Sequence, residues 1–348
     1  MSGGVDSSVV AGLLAEQGHE VIGITLQLYD HGAASVRKGA CCAGQDIHDA
    51  RDVADRLGIA HYVIDREARF RAAVIQDFAD SYAAGETPVP CVRCNMSVKF
   101  TDLLGLARDL GAEALATGHY VRRIEGTDGP ELHRARDPAR DQSWFLFATT
   151  PDQLAYTRFP LGDMSDKGAV RAEATRLGLA VAEKPDSQDL CFVPDGRTAA
   201  MVAKLRPDAA VPGDIVTVDG RAIGVHSGIA AYTIGQRRGL GPASFDAGAR
   251  QAVLEIDAPR RRLVVGPGTG QSELRLRDMN WLTPPRELRC MVKLRAREAP
   301  HGATIRPDGT GAHVALDDPA LAAPGQACVM YDGDRMLGGG FIARPSAT

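Results

Sequence analysis

Lysine is scarce in this chain: thirty-four arginines stand against six lysines. Genome composition produces such a bias as readily as function does, so arginine clusters carry little weight by themselves. A net positive charge is also missing. With a formal net charge of −4, the chain has no overall cationic field of the kind that holds nucleic acid non-specifically, and any RNA contact has to be local. No apolar run approaches the roughly 18 residues of a membrane span, and no basic-then-apolar start marks a secretory signal. The expected compartment is the cytosol, with no membrane association. Seven cysteines is an odd number in a chain too long to need disulfide staples, which points to core, catalytic or metal-binding thiols. At 348 residues and 44% hydrophobic, the chain is long enough for two or three domains.

From Val5 to about Leu110, short apolar runs alternate with helical stripes, the pattern of a parallel sheet with helices on its faces. Val9, Val10, Leu13 and Leu14 form a stripe ended by Gly18, and Glu20 to Leu28 reads as a buried strand. A helix from about Asp46 stops at Gly58 before a strand His61 to Asp65. A third unit puts Val98, Leu103, Leu104, Ala107 and Leu110 on a helix and Glu113 to Thr117 on a strand, with Gly118-His119 just beyond its carboxyl end, where open parallel sheets bind ligands. A hairpin is expected about Asp128-Gly129 and a helix near Lys167 to Leu177. After Cys191, alternating strands with turn signals at Asp219-Gly220, Pro267-Gly268, Asp308-Gly309 and Asp332-Gly333 indicate β-rich modules. The expected domains are 1–200, 201–270 and 271–348: an α/β nucleotide domain, a small central domain and a C-terminal β-barrel.

The chain opens on Met1-Ser2-Gly3-Gly4-Val5-Asp6-Ser7-Ser8. Gly3 and Gly4 let backbone approach an anion, and Ser2, Ser7 and Ser8 offer hydroxyls beside first-turn amides, so phosphate is the natural ligand. The alternative is an ordinary helix cap by Asp6 or Ser7. The pattern G-x-x-x-x-G-K-[ST] is absent. A Ser-Gly-Gly-x-Asp-Ser loop is similar instead to the pyrophosphatase-type loop of enzymes that split ATP to AMP and pyrophosphate. Such a loop ordinarily follows a strand, and none precedes Met1, so an upstream start or a lost strand is expected.

Cys91-Val92-Arg93-Cys94 follows Pro88 and Pro90, which lead to the expectation that the next helix begins only after Asn95. Thiols near a helix N-terminus have a lowered pKa, suiting nucleophilic or metal chemistry. C-x-x-C is compatible with redox, zinc or iron–sulfur roles. Cys191, in Asp186-Ser187-Gln188-Asp189-Leu190-Cys191-Phe192, is a third candidate thiol. Cys41-Cys42 has no assigned role, and Cys290 and Cys328 are expected in the core.

The opening loop, Pro90 to Asn95, Ala116-Thr117-Gly118-His119-Tyr120, Asp141-Gln142-Ser143 and Asp186 to Phe192 occur in the order found in one family. With Tyr232 to Gly241, Pro324-Gly325-Gln326 and Gly338-Gly339-Gly340, essentially the whole chain resembles the tRNA-uridine 2-sulfurtransferases, or tRNA 2-thiouridylases. The resemblance implies a transferase that thiolates C2 of the wobble uridine (position 34) of Lys, Glu and Gln tRNAs, with ATP and Mg2+ as cofactors. The uracil carbonyl is a poor electrophile until ATP adenylates its oxygen; sulfur then arrives as a soft nucleophile on a persulfide and AMP departs.

By that resemblance Cys191 carries the persulfide and Cys94 is the nucleophile, the two forming a transient disulfide, which needs Cα atoms within about 7 Å. Cys91 stands where some members carry aspartate, and Cys91, Cys94 and Cys191 are also a ligand set for a four-iron four-sulfur cluster with an open iron. Both routes stand. Met1, Ser2, Gly3, Gly4, Val5, Asp6, Ser7, Leu26 and Gly118 match ATP-contacting positions. Val89, Pro90, Cys91, His119, Arg140, Asp141, Gln142, Arg295, Ala296 and Gln326 match tRNA contacts, although His119 is equally readable as a hydrogen-bonded structural histidine. Ala296 replaces a usual tyrosine, so one stacking surface is absent. Arg237-Arg238 and Arg260-Arg261-Arg262 are further phosphate contacts, the latter also readable as a solvated hairpin turn. The implied partners are tRNA and a sulfur-donor protein, a cysteine desulfurase or relay, and a monomer suffices. Two other readings are an AMP-forming ligase transferring nitrogen and a non-catalytic RNA-binding remnant.

Overall fold

The structure, a computed structural model, describes residues 1–29, 43–186, 190–193, 197–246 and 248–344. Cys41-Cys42 and Ser187 to Asp189 lie outside the described residues. Two compact units divide the chain. One comprises Met1–Ala73, Arg93–Pro194 and Asp334–Met336; the other comprises Val74–Val92, Asp195–Gly333 and Leu337–Thr348.

The elements of the first unit run α1 (Val5–Glu16), β1 (Ile22–Gln27), α2 (Ala43–Leu57), β2 (Ala60–Asp65), α3 (Glu67–Phe70), α4 (Phe100–Asp109), β3 (Leu115–Ala116), β4 (Val121–Gly126), β5 (Gly129–Arg134), α5 (Pro151–Tyr156), β6 (Thr157–Arg158) and α6 (Lys167–Arg176). This is the alternation expected of an α/β fold. β1 and β2 pair in parallel, Ile22 opposite Ala60 through Gln27 opposite Asp65, and β3 and β6 form a second parallel pair. The core is made where the apolar stripe of α1 meets its neighbours: Val5, Val9 and Val10 pack with Val53 of α2 and with Val170 and Ala174 of α6. Gly12 makes this approach possible, since a Cβ there would stand 2.6 Å from Leu177 Cδ1. β4 and β5 form the hairpin signalled at Asp128-Gly129.

One local expectation is corrected. The prolines do not delay the helix past Asn95: Pro90–Cys94 is itself helical, and it runs through a π-helical stretch Asn95–Lys99 into α4. Proline at a first helical position is preorganised in φ, and its missing N–H is one that the first turn leaves unpaired anyway. Cys91 therefore sits inside the first turn and Cys94 one turn later.

In the second unit, α7 (Thr198–Leu205) precedes a four-stranded sheet of β7 (Gly213–Thr217), β8 (Ala222–His226), β9 (Ala252–Asp257) and β10 (Arg262–Gly266). Its order is β9-β10-β7-β8, with β10 and β7 parallel. Then come β11 (Gln271–Trp281), β12 (Leu288–Lys293), β13 (His301–Asp308), β14 (Gly311–Ala320), β15 (Ala327–Asp332) and β16 (Arg335–Ile342). These run in the order β11-β14-β13-β12-β15-β16 and close where β11 meets β16, Leu276 opposite Ile342 and Trp281 opposite Gly338. A closed barrel leaves no unpaired edge. The expected C-terminal β-barrel is thus present with six strands, its interior filled by Leu274, Leu276, Val292, Ile305, Val314 and Met330. Gly309 and Gly333 take φ of 57° at the two hairpin turns, a conformation that their Asp-Gly pairs favour. Cys290 and Cys328 are buried in this core, as expected, and burial pushes the Cys290 thiol up to about 12.

Candidate active site

The opening loop has the geometry of an anion cradle. Gly4, with extended backbone, is the N-cap of α1 and contributes no side-chain cap, so neither Asp6 nor Ser7 plays the capping role considered above. Gly3 has φ of +70°, and a Cβ on it would lie 2.2 Å from the Asp46 carbonyl oxygen; only glycine fits. The Ser2 amide donates to Ser7 Oγ at 3.0 Å, the two hydroxyl oxygens stand 3.1 Å apart, and Ser8 Oγ donates to Gly4 O at 2.9 Å. Gly118 packs directly on the first turn: its Cβ would stand 3.0 Å from the Ser7 nitrogen. The α1 dipole, two hydroxyls and two glycines together suit a phosphate group. Met1 O accepts from Thr25 Oγ1 at 2.7 Å, and Leu26 lies further along the same strand, opposite Ile64.

Behind the loop runs a chain of alternating charges. Lys167 Nζ donates to both Asp6 carboxylate oxygens, at 2.8 and 2.9 Å, and pairs with Asp186 Oδ1 at 2.7 Å. Arg140 Nη1 takes the other Asp186 oxygen at 2.6 Å. Tyr120 donates its hydroxyl to Asp6 Oδ1 at 2.6 Å. Burial and the neighbouring carboxylate push the Tyr120 pKa up, so it remains a donor. At Asp186 burial opposes ionisation, but the bonds from Lys167 and Arg140 outweigh it and hold the carboxyl below its usual range. A second lysine braces the loop from the side: Lys184 Nζ donates to Gly3 O at 2.9 Å, to Asp46 Oδ1 at 2.7 Å and to Asp49.

Around Gly118, the polar residues are engaged in holding backbone. His119 Nδ1 is 2.9 Å from Thr117 Oγ1, and its ring centroid is 6.0 Å from that of Phe100 and 6.5 Å from that of Phe159. Burial pushes its pKa down to about 3, with Lys99 adding to the effect, so the imidazole is neutral at physiological pH and cannot pair with phosphate by charge. Asp141 accepts from the backbone of Ala135 and from Ser143. Gln142 brackets Tyr120, its side-chain oxygen and its amide both bonding that residue's backbone.

Of the candidate thiols in this unit, Cys94 is buried at 7% exposure, with neighbouring Asn95 donating to Phe145 O at 3.2 Å. Cys191 is exposed, in a turn closed by a bond from the Val193 amide to Leu190 O at 2.9 Å. Phe192 anchors that turn by packing edge-on against Phe70 of α3, 5.7 Å between centroids. Arg69, also on α3, reaches Ser97 O and Asp102 on the helical run that follows Cys94. Thus α3 lies against both cysteine-bearing segments. Among the described residues, no group of three or more His, Cys, Asp or Glu side chains is placed to share a metal ion.

The remaining candidates belong to the second unit. Gln326 Nε2 donates to Thr87 O at 3.0 Å, and the Thr87 amide donates to Pro324 O at 2.8 Å, fixing the stretch that leads to Val89, Pro90 and exposed Cys91. Arg295 reaches the carbonyls of Ile234 and Leu321 at 3.4 Å, and the Ala296 carbonyl accepts from Lys293. Arg260 pairs with Asp257 across a tight turn in which Arg261 has φ of 53°, which is the hairpin reading.

Sequence reasoning missed Lys167, Lys184, Asp46 and Asp49 as site residues. Their partners are more than a hundred residues away in sequence or in an unremarkable helix, so no local motif marks them. The scarcity of lysine was the available signal.

Against known proteins, residues 1–195 match the family described as tRNA methyl transferase HUP domain, residues 200–267 its PRC-barrel domain and residues 271–342 an aminomethyltransferase beta-barrel domain. The chain is 70% identical over 345 residues, 98% of each protein, to the tRNA-specific 2-thiouridylase MnmA of Acidiphilium cryptum. It is 62% identical to that of Gluconobacter oxydans, covering 100% of this chain and 98% of the relative. With that of Rhodospirillum centenum it shares 58% identity over 365 residues, covering 100% of this chain and 91% of the relative. The family label speaks of methyl transfer, but full-length identity of this order to thiouridylases decides the matter. The chain belongs to the tRNA-specific 2-thiouridylase family.

Proposed function

We propose that this enzyme converts the wobble uridine, position 34, of tRNAs for lysine, glutamate and glutamine to 2-thiouridine. The observation that carries the reading is that an anion cradle at the start of α1 and the two thiols Cys94 and Cys191 belong to one compact unit. ATP, entering with Mg2+, would set its phosphates against the amides of the first turn and the Ser2 and Ser7 hydroxyls. The uracil O2 attacks the α-phosphorus and pyrophosphate leaves. Sulfur delivered to Cys191 as a persulfide, by a cysteine desulfurase or a relay protein, is passed to C2. Cys94 attacks the Cys191 sulfur to complete the release, leaving a Cys94–Cys191 disulfide, and AMP departs with the former O2. His119, Arg140, Asp141 and Gln142 would contact tRNA. Val89, Pro90, Cys91, Arg295, Ala296 and Gln326 would contact tRNA through backbone and shape as much as by charge. The protein is expected to act as a monomer in the cytosol.

The thiol placement favours the persulfide route over an iron–sulfur cluster, because a buried Cys94 and an exposed Cys191 match a resolving thiol and an accessible sulfur acceptor. Anaerobic purification with iron and labile-sulfide assays separates the routes: active, colourless protein supports the persulfide, and activity that tracks iron content contradicts it. Cys94→Ser and Cys191→Ser should each abolish thiolation while leaving tRNA affinity within a few-fold. A parallel loss of binding would instead make these cysteines structural.

A further inference from the structure

We propose that Lys99 is a further catalytic residue, its ammonium binding the α-phosphate of ATP between the opening loop and the helical run that bears Cys94. The assignment rests on the reading of the loop as the ATP site and of adenylation as the first step. Lys99 closes the π-helical stretch that follows Cys94 and leads directly into Phe100 of α4. It comes five residues after the thiol, roughly 7 Å along a helix axis. Irregular π-helical turns of this kind are frequent at functional sites. A chain of contacts ties the same point to the loop. The Phe100 ring lies 6.0 Å from that of His119, His119 follows Gly118, and a Cβ on Gly118 would stand 3.0 Å from the Ser7 nitrogen.

The lysine is half-buried, yet among the described residues it has no hydrogen-bond acceptor and no carboxylate within ion-pair reach. Its two counterparts at the loop are neutralised, Lys167 by Asp6 and Asp186 and Lys184 by Asp46 and Asp49. Asp102, the acid three residues further along the same run, is taken by Arg66 and Arg69. The ordinary reading of a half-buried lysine is a stem on apolar surface with its ammonium in open water. Water and salt would then screen the charge from the interior. Instead the charge reaches His119 and the Met1 amino group, which burial already makes hard to protonate, and depresses both further. Its field is thus directed into the site, where His119 is neutral and no carboxylate among the described residues answers it. A cation left unanswered beside a phosphate cradle is a place for substrate charge.

In the proposed reaction the first-turn amides of α1, the Ser2 and Ser7 hydroxyls and Mg2+ provide for the β- and γ-phosphates. The α-phosphorus is where nucleotide and uracil meet, and Cys94 has to act beside that uracil. A cation carried on the Cys94 run therefore falls to the α-phosphate. There it offsets the negative charge that gathers on the non-bridging oxygens as uracil O2 attacks and pyrophosphate leaves. It gives and takes no proton, and it stays with the AMP half of the adenylated base.

The test compares full-length wild type with Lys99→Met and Lys99→Arg. Calorimetry measures the binding of AMP, of pyrophosphate with Mg2+, and of α,β-methylene ATP with Mg2+; tRNA-dependent ATP–pyrophosphate exchange gives kcat and KM. Lys99→Met should lose about tenfold or more in affinity for AMP and for the analogue, with pyrophosphate affinity within twofold. Its exchange kcat should fall by at least about a hundredfold, and Lys99→Arg should recover part of both losses. AMP affinity and exchange unchanged in Lys99→Met overturn the proposal. A loss for pyrophosphate as large as that for AMP also overturns it, since the lysine then acts on the leaving group or on the fold of the loop. Should Lys99→Met fail to fold, Lys99→Gln carries the same comparison. A wild type that does not bind the analogue overturns the reading of the loop itself.

Discussion

Lys184 holds Gly3 by its carbonyl oxygen at 2.9 Å, across 181 residues of sequence. The same ammonium binds Asp46 and Asp49. The loop conformation, in which Gly3 alone tolerates the approach of Asp46, is therefore clamped by one side chain. Burial would lower the Lys184 pKa, but the two carboxylates outweigh it and raise it, so the clamp remains charged through neutral and mildly alkaline pH. Replacing Lys184 with methionine removes a charged hydrogen bond worth about 1.5–3 kcal/mol. The KM for ATP in tRNA-dependent ATP–pyrophosphate exchange should rise by roughly 10- to 100-fold, with the effect constant between pH 7 and 9. An unchanged KM would remove Lys184 from the site.

Gly3→Ala places a methyl group 2.2 Å from a backbone oxygen at a φ of +70°. Backbone cannot yield as a side chain can, so the loop has to move. Exchange activity should fall by at least about a hundredfold while the melting temperature drops only a few degrees, because the strain is confined to the loop. A variant with normal exchange would show that the cradle geometry is not needed.

His119 gives a pH prediction. Its pKa in the folded state, about 3, lies below the ordinary value near 6.5. The unfolded chain therefore takes up the proton first as pH falls, and stability is lost from about pH 6.5 downward. Replacing His119 with phenylalanine keeps an aromatic ring beside Phe100 and Phe159 and removes the titration. Between pH 7.5 and 5, His119→Phe should lose about 1–2 kcal/mol less stability than the wild type, read from chemical denaturation. Equal losses in the two proteins would mean that the histidine is not held neutral.

How much of this was readable in the amino-acid sequence follows from locality. The cradle is contiguous, Met1 to Ser8, and its glycines and hydroxyls announce themselves. The barrel turns at Asp308-Gly309 and Asp332-Gly333 are equally local. Pro90 misled because the rule that proline breaks helices does not hold at a first helical position. Lys167 and Lys184 were silent because Asp6 stands 161 residues from the one and Gly3 181 from the other; only the fold brings them together. Yet the chain keeps just six lysines, and Lys99, Lys167 and Lys184 all act on the loop or on His119.

Gln326→Ala should separate tRNA binding from nucleotide chemistry. Loss of the bond to Thr87 O frees the stretch leading to Val89 and Pro90, at a cost of about 1 kcal/mol. The KM for tRNA should rise about fivefold with the KM for ATP unchanged. A change in the ATP term instead would contradict the assignment of this stretch to tRNA.

The most direct measurement follows the oxygen. A tRNA carrying 18O at C2 of the wobble uridine is incubated with the enzyme, ATP, Mg2+ and a persulfide donor, and the products are weighed by mass spectrometry. Activation by adenylation predicts one 18O in AMP for each 2-thiouridine formed and none in pyrophosphate. Thiouridine formed with the label in water or in pyrophosphate would contradict the account.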